Sequence, residues 1–324
     1  MVTQHKWAIN NTIAAAAALN AGVDLNLGPD VYAKSLPQAL SLGLVTMDTI
    51  DTSLQRVLLA RLQMGMLDDT KIRNQNPWNQ IPMSVVDSKK HRALARTLAT
   101  ESVVLLKNNH NVLPLSEISS NDASPLRILV TGPNANRVET LLSNYPGCKT
   151  GPGSAVVATC TLITPLKGLQ NAAKGRQITF IQGVNIDDNG KTANITEVVA
   201  AAKTHDFVIF VGGYITCQET GNQCIEGEAR DRASNFDSNN TPYDFGTGLP
   251  NTQLDLLHAL VDQTDTTIIL VVMSGSGVSL PFAQSSSQIG AILQQFYPGE
   301  EGEQICDFDN FIVVNSFLSI FILS

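Results

Sequence analysis

Charged side chains are scarce in this chain. Asp, Glu, Lys and Arg make up 15% of its 324 residues, and the formal net charge is −8. No stretch is rich in lysine and arginine, which argues against binding to nucleic acids or anionic membrane surfaces. This charge balance is compatible with a neutral, hydroxyl-rich substrate. We therefore expect neither a nucleic acid nor a membrane as a partner.

Several sequence signals are also missing. Residues 1–7 contain no apolar segment of the kind found in a signal peptide. The apolar segment that begins at Phe311 is too short and interrupted to span a bilayer. Gly132–Ala135 follows a predicted strand, as a nucleotide-binding turn would, but it lacks the G-x-G-x-x-G and P-loop spacings. A nucleotide-binding domain is therefore a weak alternative, and we expect no cofactor.

The few cysteines and the glycosylation sequons favour secretion, in conflict with the missing signal peptide. Asn10, Asn194 and Asn239 each begin an Asn-x-Thr sequon. Cys148 lies near Cys160, Cys217 lies near Cys224, and Cys306 stands alone. Two local pairs fit disulfides of a secreted protein, although free thiols and chance sequons remain the alternative. The conflict disappears if the chain lacks its true N-terminus.

The first part of the chain has the pattern of an incomplete α/β unit. An alanine-rich helix (Thr12–Leu19) leads into a predicted strand at Ala21–Leu27, and a second helix follows at Tyr32–Leu42. A third helix is predicted between Thr46 as N-cap and Gly65 near its C-terminus. Helix, strand, helix and helix alone cannot close a core. Residues 67–86 are polar and irregular, as in a linker, and Asp87 can cap the next helix.

Predicted strands and helices then alternate regularly. The strands are Arg127–Thr131, Ile178–Gln182, Phe207–Gly212, Thr267–Met273 and Gly290–Gln294, and the helices are Arg137–Leu142, Pro165–Lys174, Thr196–Lys203 and Thr252–Gln263. This alternation predicts a three-layer α/β sandwich with a mostly parallel sheet.

The most informative stretch runs from Asp206 to Arg232. The buried strand that it predicts ends in paired glycines, and loops at the carboxyl ends of such strands are where open α/β sheets meet ligands. This loop carries Glu219, Glu226, Glu228, Arg230, Asp231 and Arg232. Clustered carboxylates in a cleft suit acid/base chemistry, while a solvated surface loop is the alternative.

An ordered set of motifs resembles glycoside hydrolase family 3, and within it the β-xylosidase-like branch. The motifs are Ala21–Asp24, Ile50–Asp51, Arg56–Leu58, Met64–Asp68, Glu101–Asn108, Leu113–Leu115, Gly132–Ala135, Asn144–Tyr145, Thr164–Leu166, Val211–Gly213, Ile225–Arg232, Leu249–Pro250 with Gln253, and Tyr297–Gly302. Together they cover most of residues 1–302.

The resemblance implies a (β/α)8 barrel followed by an α/β sandwich, with a β-linked xylo- or gluco-oligosaccharide bound between them. It also implies an exo-acting, retaining β-xylosidase of plant cell-wall breakdown, secreted to the extracellular space, or alternatively a β-glucosidase. Retention uses two carboxyl groups about 5–5.5 Å apart. In the family an Asp of the barrel is the nucleophile, and a Glu of the sandwich loop is the acid/base.

Carried over residue by residue, the resemblance matches Glu226 to the acid/base, with Glu228 as runner-up and Glu219 third. Asp231 and Arg232 are expected to hold the shape of the loop. Asp24 matches a later barrel stretch and not the nucleophile, so we expect it to be structural. A Cys217–Cys224 disulfide would brace the loop, and a Cys148–Cys160 disulfide is the second predicted pair.

The chain also departs from the family pattern. The family's nucleophile precedes the stretch that begins here at His5, so we expect no nucleophile in this chain and no hydrolysis by it alone. The expected domains are a barrel remnant (1–66), a linker (67–86), the sandwich (87–302) and an aberrant tail (303–324). A non-catalytic remnant that binds carbohydrate weakly is the alternative to a glycosidase fragment.

Overall fold

The computed structural model describes residues 2, 6–27, 30–115, 125–142, 162–173, 175–186, 194–215 and 248–299. The chain divides into two compact units, residues 1–86 and residues 87–324. No helix in the described ranges is long and apolar enough to cross a membrane.

The first unit is helical over its described residues. Its helices are α1 (Asn11–Asn20), α2 (Val31–Ser41), α3 (Met47–Gln63) and the short α4 (Thr70–Arg73). The Thr46 hydroxyl caps α3 by accepting a hydrogen bond from the Thr49 N–H at 3.1 Å, as the sequence predicted. The buried core of this unit is small and consists of Ala16, Leu19, Ala39 and Val45.

The strand predicted over Ala21–Leu27 is wrong. The chain leaves α1 through a tight turn, in which the Val23 N–H donates to the Ala18 carbonyl at 3.0 Å, and Gly22 adopts a φ of +94°. Residues 23–27 then run without ladder hydrogen bonds. A strand needs a neighbour for its N–H and C=O groups, and the described part of this unit contains none.

Helix α3 carries leucines at helical spacing, yet much of this apolar stripe is uncovered. Leu54, Leu58 and Leu62 are 50%, 38% and 54% exposed. Apolar side chains at this spacing pack against another element in most globular proteins. The exposed stripe is therefore compatible with a remnant of a larger unit, and the barrel assignment stays a prediction.

The second unit is built on one six-stranded sheet, and the predicted mostly parallel α/β architecture is confirmed. Its strands are β1 (Val104–Asn108), β2 (Arg127–Thr131), β3 (Gln177–Phe180), β4 (Phe207–Gly213), β5 (Thr267–Met273) and β6 (Ile289–Gln295). The strand order is β1-β6-β5-β4-β2-β3. Strands β2 to β6 pair in parallel, while β1 pairs antiparallel with β6 at the edge.

Helices cover both faces of the sheet, which makes three layers. They are α6 (Glu139–Leu142), α7 (Pro165–Asn171), α8 (Ile195–Ala202), α9 (Asn251–Gln263) and α10 (Pro281–Ser285), while α5 (Lys89–Glu101) precedes β1. One core contains Leu141 and Leu166 from α6 and α7, and the other contains Val198 and Leu257 from α8 and α9. Because both faces are covered, β5 is a continuous apolar run instead of an alternating one.

The helix cap predicted at Asp87 lies one residue further on. Ser88 is the N-cap of α5, and its hydroxyl accepts a hydrogen bond from the His91 N–H at 3.4 Å. The Asp87 carboxylate instead accepts two hydrogen bonds from Arg92, both of 2.6 Å. Arg92 thereby holds the pKa of Asp87 below its usual value.

Candidate functional site

The predicted site residues lie outside the described ranges. This applies to Glu219, Glu226, Glu228, Arg230, Asp231 and Arg232, to Cys148, Cys160, Cys217, Cys224 and Cys306, and to the tail from residue 303. Their assignments and the two disulfides stay predictions. The structure does describe both ends of the segment that carries the glutamates, residues 216–247.

That segment leaves the sheet at a topological switch point. From β2 the chain passes to β3 on one side, and it then returns to β4 on the other side of β2. Open α/β sheets bind ligands in the crevice outside the carboxyl ends of the strands at such a reversal. Strand β4 ends at Gly213, and residues 214–215 lead directly into the segment 216–247. The topology therefore places residues 214–215, which precede this segment, at the crevice.

Two glycines allow the chain to turn closely at this edge. Gly132 follows β2 with a φ of +101°, and a Cβ there would lie 2.3 Å from the Val211 carbonyl oxygen. Gly213 has a φ of +119°, and a Cβ there would lie 2.0 Å from the Met273 oxygen. Only glycine adopts these conformations without strain, so neither position tolerates a side chain.

Asn134 fills the gap between β2 and β4. Its side chain is fully buried, and its Nδ2 donates to the carbonyls of Gly212 at 3.2 Å and Tyr214 at 3.3 Å. Its Oδ1 accepts a hydrogen bond from the Thr140 hydroxyl at 3.3 Å. These bonds satisfy carbonyl groups at the point where the two strands diverge.

Gln253, in the first turn of α9, contacts the end of β4 from another side. Its Oε1 accepts a hydrogen bond from the Gly213 N–H at 2.8 Å, and its Nε2 donates to the Gly213 carbonyl at 2.9 Å. The Nε2 also donates to the Ile186 carbonyl at 3.2 Å. The side chain is fully buried. The Tyr214 hydroxyl nearby donates to the Gly248 carbonyl.

The ends of β5 and β6 are also lined by neutral polar groups. The Ser274 hydroxyl donates to the Ser276 carbonyl at 2.7 Å and accepts from Gln294 Nε2 at 2.8 Å. The neighbouring Gln295 is fully buried, and its amide has no hydrogen-bond partner in the part of the chain that the structure describes.

The described carboxyl edge carries one ion pair, which joins Arg137 Nε and Glu139 Oε2 at 3.7 Å where β2 leads into α6. The segments 131–135, 182–186, 212–215, 248–253, 274–280 and 294–299 of this edge contain no Asp, Glu, Lys, Arg or His. Another ion pair lies at the opposite edge, where Arg127 Nη2 donates to Asp206 Oδ1 at 3.0 Å and holds the pKa of Asp206 below its usual value. The described carboxyl edge therefore has no net charge.

A cavity of about 230 Å³ lies next to Gly248, the first described residue after 216–247. Its lining residues lie in the ranges 248–258 and 279–283. Its polar lining side chains are His258 and Ser279 alone, and the His258 ring lies 3.8 Å from the Phe282 ring, centroid to centroid. A sugar ring needs several hydrogen-bond partners for its hydroxyls. The side chains that line this cavity offer two. No group of His, Cys, Asp and Glu within the described ranges could hold a metal ion.

Asp24 is engaged within the first unit. Its carboxylate accepts two hydrogen bonds from Arg56, at 2.8 Å from Nε and 2.6 Å from Nη2. This bidentate pair lowers the pKa of Asp24 and raises that of Arg56. The pairing supports the structural role expected for Asp24. Of the sequon asparagines, Asn10 and Asn194 are exposed, and Asn239 lies outside the described residues.

Sequence reasoning did not assign roles to Asn134, Tyr214 or Gln253. Asn134 and Gln253 do lie in motifs of the resemblance, which was the available signal. Their partners are 78 and 40 residues away along the chain, and such pairings leave no periodicity in a single sequence.

Comparison with known families gives a match over most of the second unit. Residues 103–308 match the family model described as the glycosyl hydrolase family 3 C-terminal domain. The match ends at residue 308, whereas the motifs of the resemblance end at Gly302.

Similar proteins include both xylosidases and glucosidases. The chain is 31% identical to the probable β-D-xylosidase 7 of Arabidopsis thaliana over 89% of its own length and 32% of that protein. It is 30% identical to the periplasmic β-glucosidase of Salmonella typhimurium, over 92% of the chain and 37% of that protein. The chain thus spans about a third of the length of these relatives.

A solved structure shows the same fold. It is a family 3 exo-β-xylosidase in complex with a xylobiose aziridine activity-based probe, and it superimposes with a TM-score of 0.65 at 26% identity. The superposition covers 97% of this chain and 35% of that one.

Proposed function

We propose, because this chain belongs to glycosyl hydrolase family 3, that it is part of a retaining β-glycosidase. Its proposed substrate is a β-linked xylo-oligosaccharide of plant cell-wall polysaccharide, attacked from the chain end as in an exo-acting β-xylosidase. The segment 216–247 contributes the acid/base, and Glu226 is that residue, with Glu228 as runner-up. Its place of action is extracellular.

One observation supports this proposal most. The carboxyl end of β4 lies at the switch point of the sheet and leads directly into the segment that contains Glu226. The described edge around it has no net charge, because its charged residues Arg137 and Glu139 pair with each other. An edge without net charge suits a substrate without charge.

The proposed chemistry divides the work between two carboxyl groups. Glu226 donates a proton to the leaving oxygen and later withdraws one from water, so it must be protonated near the working pH. Burial or a neighbouring carboxylate can keep such an acid protonated. The nucleophile, by the resemblance, precedes His5 in the family pattern. We therefore propose that the 324-residue polypeptide alone does not hydrolyse glycosides.

The preference for xylosides depends on the names of relatives. The Arabidopsis relative and the solved structure are named as xylosidases, while the Salmonella relative is named as a β-glucosidase. A β-glucosidase is accordingly the second candidate. The word "periplasmic" in the name of the Salmonella relative and the sequons favour a location outside the cytoplasm.

The decisive test combines two proteins. The 324-residue chain should not turn over aryl β-xylosides or β-glucosides. A longer protein, which joins the upstream coding sequence of the transcript to this chain, should hydrolyse one of them. In that protein Glu226→Gln should slow turnover strongly for poor leaving groups and less for activated aryl glycosides, and azide should partly rescue breakdown of the glycosyl-enzyme.

Glu228→Gln is the matched control, since it makes the same change two residues away. Full activity of Glu226→Gln with loss in Glu228→Gln would move the acid/base to Glu228. Robust, Glu226-dependent hydrolysis by the 324-residue chain would overturn the proposal that the nucleophile is missing. No hydrolysis by the longer protein would favour a non-catalytic remnant.

A further inference from the structure

The two ends of the segment 216–247 are joined by side-chain hydrogen bonds. The Tyr214 hydroxyl, just before the segment, donates to the carbonyl of Gly248, just after it. Gln253, five residues beyond Gly248, binds both backbone groups of Gly213, at 2.8 Å to the N–H and 2.9 Å to the carbonyl. Both side chains thus connect the exit from β4 with the entry to α9.

The Gln253 amide makes three hydrogen bonds, all to backbone groups. It engages the N–H and C=O of a single residue, as a neighbouring strand would, and its third hydrogen bond reaches the Ile186 carbonyl. Gly212 makes this approach possible, because a Cβ there would lie 2.6 Å from Gln253 Oε1. Each of the paired glycines that end β4 is therefore needed for a different reason. Gly212 leaves space for the Gln253 side chain, and Gly213 adopts a φ of +119°.

We infer that Gln253 and Tyr214 are positioning residues, which fix the base of the segment 216–247. Bringing the ends of a loop together costs conformational entropy, and these hydrogen bonds offset that cost at the two residues that flank the segment. A general acid must lie within hydrogen-bond reach of the leaving oxygen, and small displacements cost much rate. Gln253 and Tyr214 would thus set where Glu226 is presented. The positioning of Glu226 rests on the proposed function. The hydrogen bonds that join the two ends of the segment do not depend on it.

Gln288 provides a matched control for Gln253. Its Nε2 donates to the carbonyls of Thr264 at 2.7 Å and Thr266 at 3.1 Å. These residues lie where α9 returns to β5, at the opposite edge of the same sheet from Gly213. Methionine at either position keeps the length of the side chain and removes the amide. A role in stability alone would affect both variants in the same way.

The first test uses hydrogen exchange and trypsin cleavage on the 324-residue chain. Gln253→Met and Gln288→Met should both lower the thermal midpoint of unfolding. Only Gln253→Met should raise the exchange rate of the Gly213 amide and the cleavage after Arg230 and Arg232, each by about tenfold. Equal effects of the two variants on these local measurements would overturn the inference.

Tyr214→Phe removes a single hydroxyl and so tests the hydrogen bond from Tyr214 to the Gly248 carbonyl. Its control is Tyr32→Phe in the first unit, where the hydroxyl also donates to a backbone carbonyl, that of Val23 at 2.7 Å. Tyr214→Phe should raise cleavage after Arg230 and Arg232 several-fold, since one bond is lost instead of several, and Tyr32→Phe should leave it unchanged. No change in Tyr214→Phe would remove Tyr214 from the inference.

The second test measures catalysis in the longer protein described above. Gln253→Met should lower kcat for poor leaving groups by about tenfold or more, with little change in KM and a smaller loss for activated aryl glycosides. Gln288→Met should show no such dependence on the leaving group. If Glu226→Gln shows this dependence and Gln253→Met does not, the positioning role is wrong. If Glu226→Gln lacks it while Gln253→Met still loosens the segment, the proposed acid/base is wrong and the closure of the base stands.

Discussion

Gly213 shows how much one residue determines at this edge of the sheet. Its φ of +119° is open only to glycine, and a Cβ would meet the Met273 backbone oxygen at 2.0 Å. We expect Gly213→Ala to destabilise the chain by at least about 2 kcal/mol, because backbone strain and a backbone clash add. Urea unfolding would measure this loss. Gly277→Ala at the same edge is the control, since a Cβ there has no atom within 4 Å; equal losses would contradict the account.

Asp206 links the starts of β2 and β4 in a pH-dependent way. Its carboxylate accepts from the Arg127 side chain and, at 2.7 Å, from the Arg127 backbone N–H. Because these bonds lower the folded-state pKa of Asp206, their stabilisation is fully present above the unfolded pKa of about 3.9 and is lost as the pH falls through the folded pKa.

We therefore expect Asp206→Asn to be less stable than the parent chain at pH 7, by about 0.5–1 kcal/mol, since both side chains are partly exposed. The difference should shrink towards zero below about pH 4. Thermal unfolding across pH would show it, with Asp262→Asn as the control that removes the same charge from an exposed position. A deficit that is constant with pH would refute the linkage.

At the scale of single residues, the paired glycines predicted the end of β4 but not why each position must be glycine. Gly-Gly after an apolar run signals the end of a strand. That Gly212 leaves space for Gln253 follows only from a contact across 40 residues. Asn134 is similar, because its acceptors lie on a strand that is distant in the sequence.

Whole elements were predicted best where both faces of a strand are buried. Strands β2 and β5 have the predicted limits, and β4 is one residue longer, since runs of β-branched residues bounded by turns carry a strong local signal. The strand expected at Ala21–Leu27 failed because a strand also needs a partner. The helix α10 was missed, because five residues are too few to show a helical period.

Lys107 connects β1, the antiparallel edge strand, to α10. Its Nζ donates to the carbonyls of Ala283, Gln284 and Ser286, at 3.1, 3.1 and 2.6 Å. Partial burial lowers the pKa of Lys107, but three carbonyl acceptors compensate for much of the lost hydration. The ammonium group thus satisfies the C-terminal carbonyls of a helix that is too short to be stable alone.

We expect Lys107→Met to destabilise the chain by about 1–3 kcal/mol, because three carbonyls lose their donor. Amide exchange in β1 and α10 should rise more than exchange in β4. Lys167→Met removes a lysine from an exposed position of α7 and serves as the control. Unchanged exchange in α10 would show that the three bonds contribute nothing to its docking.

For the molecule as a whole, the fold followed from the sequence more fully than the site did. The alternation of strands and helices predicted the layered sheet, because burial repeats along the chain. The acid/base assignment depended on a family resemblance, since nothing in the periodicity of residues 216–247 distinguishes Glu226 from Glu228. What the structure adds is an edge without net charge over its described residues, and the hydrogen bonds that join Tyr214 to Gly248 and Gln253 to Gly213.

The last prediction compares the stability of the two units. In residues 1–86 the core is small, and α3 exposes Leu54, Leu58 and Leu62. In the second unit β5 is buried on both faces. Local opening is easy where few apolar contacts must break. We therefore expect trypsin to cleave after Arg56 and Arg61 in α3 well before it cleaves after Lys107 in β1 or Lys167 in α7, and the stable fragments to begin near Asp87. Mass spectrometry of a time course would order these cuts. Equal protection of residues 1–66 would show that this unit forms a sufficient core by itself, and the barrel-remnant hypothesis would then fail.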